Sequence, residues 1–130
     1  MKIWVDDVRQ APDGYVHCFS VQQTIWLIQA SSAWEQKQYA VCEEILQRAI
    51  ESGIDFPIRE TDNVSSMDLH IELIDLDHDA GVYAKQGGDY IKILDWMEEH
   101  GHHYPVRIHS MNIVGRQNMQ IIIDKNNWNP

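Results

Sequence analysis

Three short apolar runs in this chain stop abruptly at polar residues, and no other feature restricts the fold as much. Lys2 to Asp6 ends in the pair Asp6-Asp7. Leu69 to Leu76 leads into Asp77-His78-Asp79. Pro105 to His109 leads into Ser110. Each run has the length and apolar content of a buried strand. Tyr15 to Phe19 forms a further short strand after the turn residues Pro12, Asp13 and Gly14. Helical patterns separate these strands. Ser20 and Gln23 fit a capping box ahead of a helix from Val21 to Ala30, which Ser31-Ser32 is expected to interrupt. Ser32 and Glu35 repeat the capping pattern before Cys42, Ile45, Leu46, Ala49 and Ile50, with Gly53 as the stop. Ile54 to Asp68 reads as loop, with room for a stray strand. Gly87-Gly88 opens a helix carrying Ile91, Leu94, Trp96 and Met97, with Asp89 as its cap and Gly101 at its end. Gly115 to Lys125 is the last helix, and Asn126 to Pro130 reads as a tail.

Strands alternating with helices predict an α/β fold with a mainly parallel sheet. The link from Asp7 to Tyr15 is too short for the usual helical crossover. Either a compact loop closes it or the second strand is not parallel to the first. A chain of 130 residues and 15.2 kDa is expected to form one domain, 1–130, able to hold its own core. The 20 acidic residues outnumber the 10 basic ones, and a formal charge of −10 disfavours nonspecific nucleic-acid binding. No stretch approaches the roughly 18 apolar residues of a membrane span. Two carboxylates arrive before any secretory core, so a cytoplasmic protein is expected. Cys18 and Cys42 have neither zinc nor redox spacing and read as small buried hydrophobes.

Ligands in open α/β sheets sit beyond the carboxyl ends of the strands. Parallel strands would bring Asp6-Asp7, Asp77-His78-Asp79 and His109-Ser110 to one edge. Two unit charges about 4 Å apart repel by about 4 kcal/mol at an effective dielectric of about 20. Either a proton stays on one carboxyl or a cation binds. Asp6, Asp7 and Asp77 are therefore candidate ligands of a divalent metal, with Mg²⁺, Mn²⁺ or Ca²⁺ suited to hard oxygen donors. Asp75 shares a strand face with Asp77 and is either a further ligand or a solvated acid. His78 and His109 are candidate acids or bases, since imidazole titrates near neutrality. Ser110 offers a hydroxyl to a phosphate. Arg9 and Arg116 are candidate phosphate clamps, Arg116 at an expected helix N-terminus.

The residues in this arrangement resemble the receiver domain of bacterial response regulators: an Asp-Asp pair after the first strand, an Asp after the central one, a Ser after the next. The resemblance is closer to a divergent branch, the cyclic-phosphate processing receiver-like domain. It rests on Lys2 to Arg9, Leu76 to Gly81, Gly87 to Ile91 and Ile108 to Asn112, continuing to Gly115-Arg116 and Asn118-Met119. It implies a receiver-like three-layer fold with a short, mainly parallel central sheet and flanking helices. It also implies that Asp6, Asp7 and Asp77 bind the metal, with Asp77 at the phospho-acceptor position and Ser110 at the hydroxyl position. The segment of about 30–68 reads as an enlarged helix-and-loop insertion. No strand-ending Lys follows Ser110, so an ordinary phosphorelay would lack a charge partner. The leading expectation is a metal-dependent phosphoesterase acting on a small phosphorylated ligand or cyclic phosphate. The alternatives are a non-catalytic receiver-like module, with a protein partner or a second copy, and a haloacid-dehalogenase-like phosphatase using Asp75 and Asp77.

Overall fold

The computed structural model describes residues 1–57 and 63–130. Four strands form one sheet: β1 (Lys2–Val5), β2 (Tyr15–Cys18), β3 (Leu73–Leu76) and β4 (Val106–Ile108). Their order is β2-β1-β3-β4 and every neighbouring pair is parallel. Helices α1 (Val21–Glu35) and α2 (Tyr39–Glu51) lie between β2 and β3. Helix α3 (Ile91–His100) joins β3 to β4, and α4 (Ile113–Asn126) follows β4. The expected α/β architecture, a parallel sheet flanked by helices, is the one observed. No helix among the described residues is long and apolar enough to cross a membrane.

The short first link closes as a compact loop between parallel strands. Four strand residues rise about 13 Å, whereas nine extended residues reach about 30 Å, so no helix is needed to span the return. The Asp6 carboxylate accepts the backbone N–H groups of Val8 and Arg9, each at 2.8 Å. The Trp4 indole donates to the Arg9 carbonyl, and Tyr15 N–H donates to the Pro12 carbonyl. A crossover helix would have covered a sheet face, and here β1–β2 supplies none. Alternation along the strands makes the two faces different. Ile3, Val5, Val16, Cys18, Ile74, Leu76 and Val106 are buried with Leu27, Ile28, Leu94, Met97, Met119 and Ile123 of the helices. The opposite face carries Trp4, Tyr15, Asp75 and Arg107. Trp4 meets Tyr15 edge-on at 6.0 Å, and Asp75 pairs with Arg107 at 3.0 Å.

Several local expectations are corrected. Ser31-Ser32 does not interrupt α1, which continues to Glu35 with Ser31 fully buried. Serine costs a helix interior only tenths of a kcal/mol, and packing outweighs that. The turn instead falls at Lys37, in the left-handed region at φ 59°, and α2 starts without a side-chain cap. The strand expected over Leu69–Leu76 is confined to Leu73–Leu76, because β1 is only four residues long and pairs Lys2 with Leu73. Asp89 does not cap α3. It accepts from Ala80 N–H at 3.0 Å and ties down the 3₁₀ segment Gly81–Gln86, while Tyr90 holds the cap position. Of the expected loop Ile54–Asp68, residues 58–62 lie outside the described residues. The rest includes a bridge from Asp55 to His17 and a 3₁₀ turn at Val64–Ser66.

The C-terminal segment is not a free tail. Trp128 is 2% exposed, its carbonyl accepts from Val106 N–H at 2.8 Å, and its indole donates to His103 Nδ1 at 2.9 Å. It closes the outer edge of β4. Trp128→Ala is expected to destabilise the protein by about 3–5 kcal/mol. Thermal denaturation should show a loss of about 10 °C or more. An unchanged melting temperature would mean that the segment is as dispensable as a tail.

Candidate metal centre

In this strand order the chain leaves β1 toward β2 on one side and returns to add β3 on the other. The crevice at such a reversal, beyond the carboxyl ends of the strands, is where open α/β sheets bind ligands. In-register pairing sets Val5 opposite Leu76, so the next residues, Asp6 and Asp77, emerge side by side. Asp77 N–H donates to the Val5 carbonyl at 2.9 Å, and His109 N–H donates to the Leu76 carbonyl at 3.0 Å. Each acid and the imidazole thus continues a backbone ladder. Asp6, Asp77 and His109 present one ligand atom each within 4.8 Å of one another.

Asp6 is fully buried. One carboxylate oxygen takes the Val8 and Arg9 N–H groups, and the other faces His109 Nε2 at 2.8 Å. Burial by itself would raise its pKa. The two backbone donors and His109 outweigh that and hold it below the usual carboxylate range. The second nitrogen of His109, Nδ1, lies 2.7 Å from Asp75 Oδ1. When both nitrogens donate, the ring is an imidazolium. Burial works against that charge most strongly, but hydrogen bonds and charge from Asp75 and Asp6 prevail, and the His109 pKa is raised. The ring stacks flat on Trp4, with centroids 3.8 Å apart and planes within 4°. Arg9 donates from Nη1 to the His109 carbonyl at 3.0 Å.

The other sequence candidates divide by strand alternation. Asp7 follows Asp6 and points elsewhere. It sits outside the close group, against Gly81, where any Cβ would collide with its Oδ2. The positive φ of Gly81, 55°, suits the same constraint. Burial, with the charges of Asp6, Asp77 and Asp79, raises the Asp7 pKa. Ser110 is buried, and its hydroxyl accepts from Asn112 N–H at 3.0 Å in the turn before α4. His78 lies against Gly115 at the start of α4, with Nδ1 2.8 Å from Asp79 Oδ1. Arg116 lines a cavity of about 340 Å³ with Ile108, Ile113, Gln117 and Gln120, away from the acids. The structure therefore unites Asp6, Asp77 and His109, keeps Arg9 beside them, and sets Asp7, His78, Ser110 and Arg116 around or apart from them. Asp75 is neither solvated nor in the ligand group. Its two oxygens face His109 and Arg107. Trp4 and Arg107 were not singled out from sequence. The period of two was the available signal, since it puts Trp4 with Asp6, and Arg107 with His109, on one face.

Two carboxylates and an imidazole are a donor set for a divalent cation, and their ligand atoms lie close enough together to hold one. A family model described as the cyclic-phosphate processing Receiver domain matches residues 47–125, more than half of the chain. The match includes Asp77, His109 and Ser110. It begins inside the segment of about 30–68 expected to be an insertion, and Asp6 and Asp7 precede it. No curated protein and no solved structure gives a significant match.

The pKa directions set the pH dependence of the metal-free protein. Asp6 contributes stability that is present above the ordinary carboxylate value of 3.8 and is lost as pH falls through its lowered value. His109 contributes stability that is present below 6.5 and is lost as pH rises through its raised value. Asp7, with a raised value, favours the acid side. In chelator, the melting temperature should fall as pH rises from about 6 to about 9. His109→Gln should flatten that slope, and an equal slope in the variant would remove His109 as its source.

Proposed function

Because this chain belongs to the cyclic-phosphate processing receiver family, we propose that it uses a divalent cation to open a cyclic phosphodiester by hydrolysis. The observation that carries this reading is the convergence of Asp6, Asp77 and His109 at the switch point of the sheet. A bound cation would polarise a phosphoryl oxygen and favour ionisation of the attacking water. Asp6 and Asp77 would hold it through carboxylate oxygens and His109 through Nε2. An imidazole in the donor set favours Mn²⁺ over Mg²⁺ and Ca²⁺, which prefer oxygen alone.

The chain's own groups supply the rest. Arg9, held beside His109, is placed to neutralise charge developing on the phosphoryl oxygens. In the reaction the water oxygen bonds to phosphorus and one P–O bond of the ring breaks. The released alkoxide takes up a proton, leaving a phosphomonoester. The imidazole of His78, the residue after Asp77 and hydrogen-bonded to Asp79, is assigned that proton in this reading.

One observation favours the second reading, a receiver-like module that binds without turnover. A cavity of about 440 Å³ lies at the opposite end of the sheet among Glu35, His70, His102 and Tyr104, not at the acids. The test is ³¹P NMR of the protein with Mn²⁺ or Mg²⁺ and 2′,3′- and 3′,5′-cyclic nucleotides, beside Asp77→Asn. The expected result is metal-dependent ring opening, reduced at least about a hundredfold in the variant. Metal binding without turnover would replace this reading with the binding module. Turnover unaffected by Asp77→Asn would remove the site.

A further inference from the structure

We propose that Asp75 is a positioning residue. With a cation bound, it keeps the His109 hydrogen on Nδ1, which leaves Nε2, the nitrogen facing Asp6, to the cation and sets the cation affinity of the site. The inference deepens the cation reading above and rests on it.

Asp75 sits within β3, 3% exposed, between Trp4 of β1 and Arg107 of β4 in the sheet register. A carboxylate is costly to bury unless its oxygens are satisfied. Both are: Oδ2 accepts from Arg107 Nε at 3.0 Å, and Oδ1 faces His109 Nδ1 at 2.7 Å. Arg107 is half exposed and is itself held by the Tyr15 hydroxyl at 3.2 Å. Arg107 by itself would serve to neutralise the acid. The shorter contact is nevertheless the one to the histidine, and once a cation takes Nε2 from Asp6 it is the contact that keeps a proton on Nδ1.

The remaining freedoms of His109 are also removed. Trp4 stacking sets the ring plane, the Leu76 carbonyl takes the backbone N–H, and Arg9 takes the carbonyl. Nε2 is the only polar atom of the residue left for the trio. A carboxylate behind a metal-binding imidazole raises its basicity and fixes its tautomer, and loss of such a partner typically weakens metal binding tenfold to a hundredfold. A solvated histidine side chain prefers the proton on Nε2, so a ring held with it on Nδ1 carries a distinct NMR signature.

The test has two readouts that do not depend on turnover. Long-range ¹H–¹⁵N NMR of the wild type saturated with diamagnetic Mg²⁺ should show His109 protonated on Nδ1. A His109 carrying its proton on Nε2 would overturn the proposal, whether or not any variant folds. Calorimetric titration with Mn²⁺ should then show Asp75→Asn weakened by about tenfold to a hundredfold. Arg107→Gln, which removes the other partner, should stay within about twofold of wild type. Asp75→Asn that keeps wild-type Mn²⁺ affinity with an unchanged tautomer would reduce Asp75 to a structural ion pair and overturn the assignment. A wild type that takes up no Mn²⁺ or Mg²⁺ would sink the cation reading and, with it, the effect on affinity assigned to Asp75.

Discussion

The parallel register of β1 on β3 is the constraint on which the rest depends. It places Val5 opposite Leu76 and forces Asp6 and Asp77 out of the sheet together, with the backbone N–H of Asp77 bonded to the Val5 carbonyl. Two carboxylates so close are electrostatically costly. The fold meets that cost locally. Backbone donors from the first loop stabilise Asp6, and the imidazole of His109 reaches it from β4. The same positive group that offsets the acids in the free chain has a nitrogen placed to join them around a cation. The cluster is thus paired in the free chain and, in the proposed reading, would also hold the cation.

Strand alternation explains why neighbours in sequence are separated in space. His109 and Ser110 are adjacent, yet one enters the acidic trio and the other shapes the turn before α4. Asp6 and Asp7 divide in the same way, as do Asp77 and His78. The polar face that receives Asp6, Asp75 and His109 is the one that no β1–β2 helix covers. Its aromatic and ionic contacts, Trp4 on His109 and Asp75 on Arg107, do the work of ordering those side chains.

Much of this was legible in the chain. Apolar runs ending in Asp6, Asp77 and His109 predicted parallel strands with chemistry at one edge, and the motifs around them predicted the family. Three kinds of residue were misread. Ser31 looked like a break because propensity was weighed without the packing that buries it. Trp128 looked like part of a tail because nothing local tells that its carbonyl closes β4. Asp89 looked like a cap because its true partner, Ala80, lies nine residues back across a turn. In each case the deciding contact is distant in sequence or depends on what covers the segment.

By itself, then, the sequence determined the alternation of elements, the direction of the sheet and the set of acids and histidines that meet at its edge, because periodicity and strand-end chemistry are local. Tertiary structure decided which of those groups converge. Asp6 and His109 are 103 positions apart and touch because β3 lies between their strands. Asp7 is adjacent to Asp6 and yet stands outside the trio, against Gly81. Only the register between strands specifies that choice, and register arises from burying one whole sheet face against the helices, not from any single residue.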